Sequence, residues 1–519
     1  MYKKKLLTIA IITILLLTLL CGCTAPPELT VQVDTDSALN DEEIAAAVEM
    51  IVEEFTAISA IPRSSGNEQA IADYICQRLL DLGYQPQRDA LHNIIVDIPA
   101  SAEYADSPLT VIHTHLDMFC VAAEGVEYDP LTDAVTLLND GETLSADNTS
   151  LGADNGVGMA MALYLLRAEL PHGPLRLIFT SNGEGDMSGA AAISAERLSD
   201  VTYVINLDAK SDDTLTIGAS AEQTLTATAA LNPTAPKKNT AVRISVGGLQ
   251  GGYATSESSE SRLNAVLLLA NILADLQSQN ILFELAQLQG GSEPNTTPHT
   301  ASALIVIDAA EELILSHQIS QYQEQLPLTY AASEPGITVS YEKVELPSLV
   351  MSTSERNNLL NFILLSPEGQ QSVSAADGLV NSATLYNVQI SATQAGFDRN
   401  LRSSHTLLLG QALLRQQRLA EQCLLTAVSS DAIPVWPAAA DNQLQLITAE
   451  VYADLYGEQM QTLVAYGGSE LGFFAAKNSA LQMISIGPSI SGTHSPLESV
   501  TLSSIGKTVQ LLQTTLSNI

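Results

Sequence analysis

The chain holds 519 residues, 46% hydrophobic and 15% charged, which is too long for one core and too apolar for a disordered polymer, so two or three packed domains are expected. Its 22 basic residues stand against 58 acidic ones, and the resulting formal charge of −36 repels phosphate backbones and argues against nucleic acid as a partner. The imbalance comes from scarce Lys and Arg rather than from acidic blocks, and so diffuse a field attracts divalent cations without defining a site for them.

At the N-terminus Lys3, Lys4 and Lys5 precede an apolar run from Leu6 to Leu20, shorter than the roughly 20 residues of a spanning helix. The run closes on Leu20-Cys21-Gly22-Cys23, which resembles the bacterial lipobox, where small residues admit a processing peptidase and the next Cys is acylated. Residues 1–22 therefore read as a signal peptide, Cys23 as a lipidated N-terminus and 23–41 as a polar, Pro-containing tether. The expected location is extracytoplasmic, with the lipid holding the protein to a bacterial cell membrane. Of the five cysteines this leaves Cys76, Cys120 and Cys423, too few for a disulfide framework in a chain of this size.

Two amphipathic helices follow in "DEEIAAAVEMIVEEFTAISAIPRSSGNEQAIADYICQRLLDLGY", broken between Ile61-Pro62 and Gly66. "NIIVDIPA", "LTVIHTHLD", "PLRLIFT" and "VTYVINLD" read as buried strands and "GVGMAMALYLLRAEL" as a helix, the alternation of an α/β sheet. From Asp212 the texture turns Thr-rich and alternating, with "AVRISVGG" a strand and a helix around Leu263 to Gln277. The α/β pattern returns in "AEVYADLYG", "ALQMISIG" and a closing helix. The expected fold is a mixed-sheet α/β domain, 42–211 and 429–519, interrupted by an α+β module at 212–428.

Polar residues stand just past the apolar strands, where open α/β sheets place their ligands. His115 and Asp117 end one strand; His-x-Asp suits a metal, with a neutral imidazole ligating and a nearby carboxylate fixing its tautomer. Asp154 lies at a loop-to-helix junction, Glu184 after "LIFT", Asp208 at the end of "VINLD" and His494 in "GPSISGTHSP". His115, Asp154, Glu184, Asp208 and His494 form the nitrogen and oxygen set that zinc, manganese or cobalt accepts.

From about Ile44 to Ile519 the chain resembles the zinc-dependent aminopeptidase and dipeptidase family that includes carnosinases and carboxypeptidase G, most of all its aminoacyl-histidine dipeptidase (peptidase D) branch. The motifs that carry the resemblance are "IPRSSGNEQAIADYI", "HTHLDMFC", "SLGADNGVGMA", "INLDA", "GGLQGG", "SELGFF" and "SIGPSISGTHSP", in order along the chain. It implies two divalent ions bridged by Asp154, one also held by His115 and Asp208, the other by Glu184 and His494, with Asp117 orienting His115. It also implies a dipeptide substrate, a homodimer and an inserted domain that serves as lid and dimerisation surface.

Two departures bear on activity. In "FTSNGEGDMSGA" the family's paired acids fall on Gly183 and Glu184, so the metal ligand is kept while Gly183 replaces the general base. Tyr253 stands where the family has a lid His that stabilises the oxyanion, while Arg262 and Asn264 still match and Arg402 matches an Arg that would contact the substrate carboxylate. A positioned base is worth about 10² to 10⁴ in rate, and Asp186, two residues beyond Glu184, is a candidate substitute. Two readings stay open: a metal-dependent dipeptidase slowed by the missing base, and an inactive lipoprotein of the same fold that binds peptides or a partner.

Overall fold

The computed structural model describes residues 31–36, 38–253, 262–292, 296–374, 379–439 and 441–519. The expected signal peptide, Cys23 and residues 24–30 and 37 of the expected tether lie outside the described residues. No described helix is long and apolar enough to cross a membrane.

The first domain is built on an eight-stranded sheet in the order Gln87–Arg88, Ile94–Ile98, Leu175–Thr180, Thr110–His115, Tyr203–Asn206, Gln482–Ser485, Thr214–Ala219, Gln461–Ala465. Its central strands run parallel, and every residue of Thr110–His115 and Leu175–Thr180 is buried. Parallel strands covered on both faces need unbroken apolar runs, which is why these segments lack alternation. On one face Asp41–Ser59, Ala153–Arg167, Gln443–Tyr456 and Leu502–Ser517 close the main core, and on the other Glu470–Lys477 and Ser188–Ala192 cover Val111, Ile178 and Val204. A four-stranded sheet at the edge, Ile490–Ser491, Ser499–Thr501, Thr143–Ala146 and Leu137–Asn139, frames the loop that carries His494.

The second domain is a nine-stranded sheet that runs from Ala221–Ala230 to Thr426–Ser429, with antiparallel pairing throughout. Ala265–Ser278 and Thr353–Leu365 pack into its core. Its start differs from the expected boundary at 212. Thr214–Ala219 pairs with Gln461–Ala465 and Gln482–Ser485 in the first sheet, so the insertion begins after Ser220. Alternation marks a half-exposed strand and does not say which sheet the strand joins.

Asn264 caps Ala265–Ser278. Its Oδ1 accepts from the amides of Val266 and Leu267, and its Nδ2 donates to Glu368 Oε1 at 2.8 Å and to the Leu385 carbonyl at 2.9 Å. Asn264→Ala should lower stability by about 1.5–5 kcal/mol, the sum of a lost cap and a stranded buried acceptor. Urea unfolding checks this, and an unchanged midpoint would contradict the structural role.

Candidate metal centre

The centre forms where strand ends of the first sheet meet the His494 loop. His115 is the last residue of its strand; its Nε2 lies 3.3 Å from Asp154 Oδ1 and 3.6 Å from Asp208 Oδ1. His494 Nε2 lies 3.0 Å from Glu184 Oε2 and 3.6 Å from Asp154 Oδ2. Two donor triads result, His115–Asp154–Asp208 and Asp154–Glu184–His494, each with its ligand atoms within 4.8 Å of one another and with Asp154 common to both. Imidazole nitrogen and carboxylate oxygen at this spacing fit zinc or a similar divalent ion. When bound, such an ion supplies Lewis acidity toward a carbonyl or phosphoryl oxygen.

The backbone around these ligands is tightly held. Asp117, fully buried, sets its Oδ1 3.3 Å from His115 Nδ1, takes the Ser65 hydroxyl at 2.6 Å and accepts the amides of Gly183 at 2.7 Å and Glu184 at 3.0 Å. Arg63 donates to the carbonyls of Leu116, Asp117 and Gly152. Glu498 accepts the amides of Leu151, Gly152 and Asp154, which fixes the loop that presents Asp154. Asn155 donates to the Leu207 carbonyl and to Asp208 Oδ1 at 2.7 Å. Only a glycine at 158 permits that packing, since a Cβ there would stand 2.0 Å from Asn155 Oδ1 and 2.5 Å from the Leu207 carbonyl. The Phe119 ring lies against His494, with centroids 4.8 Å apart.

The charges interlock. Burial works against the Asp154 carboxylate, but the Lys210 ammonium and hydrogen bonds with His115 and His494 hold it well below the usual range. Burial and then the Asp154 charge push Glu184 up to about 7. Burial opposes protonation of His494, yet hydrogen bonds to Asp154 and Glu184 raise it to about 10. The carboxylates demand positive charge, and a divalent ion would take the place of these protons.

A cavity of about 550 Å³ opens over the centre, within the usual range for small-molecule pockets. Its walls include His115, Asp154, Gly183, Glu184, Asp208 and His494. The lid candidates stand elsewhere. Tyr253 pairs with Thr296 in the inserted domain, and Asn264 is engaged as a helix cap. Buried Arg402 donates from Nε to Glu222 at 2.9 Å; Glu222 in turn accepts the amide of Gly468, a wall residue, so Arg402 sits behind the wall instead of lining it. Asp186 is exposed and closes its own turn, bonded to Asn182 and to the amide of Ser188. Gly183 is crowded: a Cβ there would come 2.6 Å from His115 Cγ.

Arg63, Lys210, Glu470 and Glu498 were not singled out by the sequence. Lys210 carried a signal, since it follows Asp208 by the same offset that separates Asp117 from His115. Glu498 and Arg63 carried none, because their partners are backbone groups.

Paired metal-ligand triads at the C-terminal edge of an open sheet are the layout of a metal-dependent hydrolase. Residues 149–518 match Peptidase family M20/M25/M40, and the chain belongs to that family. It is 27% identical over 470 residues to the cytosol non-specific dipeptidase of Escherichia coli (strain K12), covering 90% of this chain and 96% of that one. It is similar to the crystal structure of aminoacylhistidine dipeptidase from Vibrio alginolyticus, with a TM-score of 0.74 and 26% identity over 90% of this chain and 96% of that one. A tripeptidase from Staphylococcus aureus, at TM-score 0.51 and 14% identity over 90% of this chain and 97% of that one, shares the fold.

Behind His115, His113 and Glu470 face each other at 3.6 Å. Burial holds His113 down to about 3 and pushes Glu470 up to about 8, so near pH 7 a neutral imidazole meets a protonated carboxyl and the contact is not an ion pair. A carboxyl that keeps its proton better when folded stabilises fully below its unfolded pKa, and that contribution fades as pH rises to 8. The His113 effect has the opposite sign and is complete above about 6.5. Between pH 6.5 and 8, chelator-treated wild type should therefore lose stability relative to Glu470→Gln, by up to about 1.4 kcal/mol per unit. Parallel pH profiles in urea unfolding would contradict this.

Proposed function

We propose that the protein binds dipeptides with a free C-terminal carboxylate over a divalent metal centre formed by His115, Asp154, Glu184, Asp208 and His494, and hydrolyses them slowly. The observation that carries this reading is the pair of ligand triads sharing Asp154 at the floor of the cavity. Membership of a peptidase family and the likeness to two dipeptidases support the substrate class. Slowness follows from position 183. No carboxylate stands there, Asp186 is bonded within its own turn and Glu184 belongs to a ligand triad. Binding without turnover is the second reading, favoured by the closeness of Gly183 to His115.

Metal-loaded protein assayed on a dipeptide panel should show weak hydrolysis. Gly183→Glu should raise it, but by less than the about 10² that a base alone can give, because the turn must first move off His115. Tyr253→His added to that variant should raise it further. Absence of hydrolysis in wild type and both variants would defeat the enzymatic reading and leave peptide binding.

The proposed setting is the outer face of a bacterial membrane, with Cys23 lipidated, and the inserted domain serves as lid and dimerisation surface. Intact-mass analysis of membrane-extracted protein should give the acyl increment on Cys23. A Cys23→Ser form that stays in the membrane would contradict it.

A further inference from the structure

The two triads differ in one respect. Lys210 Nζ lies 2.5 Å from Asp154 Oδ1 and 2.7 Å from Asp208 Oδ1. Those are the same two oxygens that, with His115 Nε2, compose the first triad. Asp208 Oδ1 also accepts from Asn155 Nδ2. The second triad draws on the other oxygen of Asp154: Oδ2 faces His494 Nε2, which faces Glu184. Asp154 thus divides its carboxylate, one oxygen toward an ammonium and the other toward a set of neutral and anionic donors.

A divalent ion held by the first triad would need lone pairs of Asp154 Oδ1 and Asp208 Oδ1 at about 2.0–2.2 Å. The ammonium already uses both oxygens, and at contact distance it repels a second cation. Charge balance agrees. Counting the ligand carboxylates alone, Asp154, Glu184 and Asp208 bring three negative charges, which one divalent ion and one ammonium neutralise; two divalent ions and the ammonium would exceed them by two. Lys210 is placed to do this by the backbone, because it follows Asp208 at the end of the strand Tyr203–Asn206 and reaches back over the carboxylates.

We propose that Lys210 is a tethered cation that stands in for one of two metal ions, so that the protein carries a single divalent ion, on Asp154, Glu184 and His494. The inference rests on the reading of the five residues as metal ligands and fixes how many ions they hold.

The test is a count of bound zinc. The full chain, extracted in detergent, is dialysed against zinc near neutral pH and metal per chain is measured by mass spectrometry. Wild type should hold about one ion and Lys210→Met about two, while Lys210→Arg stays near one. If Lys210→Met fails to fold, single ligand variants in the wild-type background decide: His494→Ala should abolish binding and His115→Ala should leave the ion in place. Two ions in wild type would overturn the inference while leaving the metal-centre reading intact, as would one ion in both wild type and a folded Lys210→Met. No ion in any form would defeat the metal-centre reading itself.

Discussion

One buried carboxylate, that of Asp117, holds the centre together. Together with the residue's own backbone carbonyl, 3.1 Å from His115 Nδ1, it holds that ring from the Nδ1 side and leaves Nε2 to face the carboxylates, and its oxygens take the amides of Gly183 and Glu184 along with the Ser65 hydroxyl. Two sheet strands and the "IPRSSGNE" loop therefore meet on one side chain. An ionised group with several donors is strongly stabilised, but one with a donor removed is costly to keep buried. The position of Glu184 is thus tied to the tautomer of His115, although the two residues come from different strands.

Around that anchor the charges are paired. His113 and Glu470, both buried, carry no net charge near pH 7. The carboxylates of Asp154 and Asp208 hold the Lys210 ammonium across them. Glu184 and His494 complete the floor of the same cavity, and Glu498 accepts backbone amides that steady the Asp154 loop.

Much of this was legible in the sequence, for a physical reason. Three of the five ligands, His115, Glu184 and Asp208, end or follow strands too apolar to be anything but buried, as in "LRLIFT" before Glu184 and "YVIN" before Asp208, so the point where polarity returns marks the sheet edge. The resemblance of ordered motifs then paired residues that lie hundreds of positions apart. What stayed hidden depended on reach and direction. Nothing in "DAK" states that a lysine turns back over the aspartate before it, and Thr-rich alternation could not reveal that Thr214–Ala219 joins the first sheet. Arg402 matched a motif, yet its contact with Glu222 is set by pairing between Gln394–Ser403 and Ala221–Ala230, which is tertiary information.

The contact between Gly183 and His115 also bears on how such a protein can change over generations. Any side chain introduced at 183 would press on the imidazole before it could do anything else. A substitution that relaxed the turn, or the packing beneath it, would have to come first. The order in which changes can accumulate is thus constrained, and the glycine behaves as a ratchet.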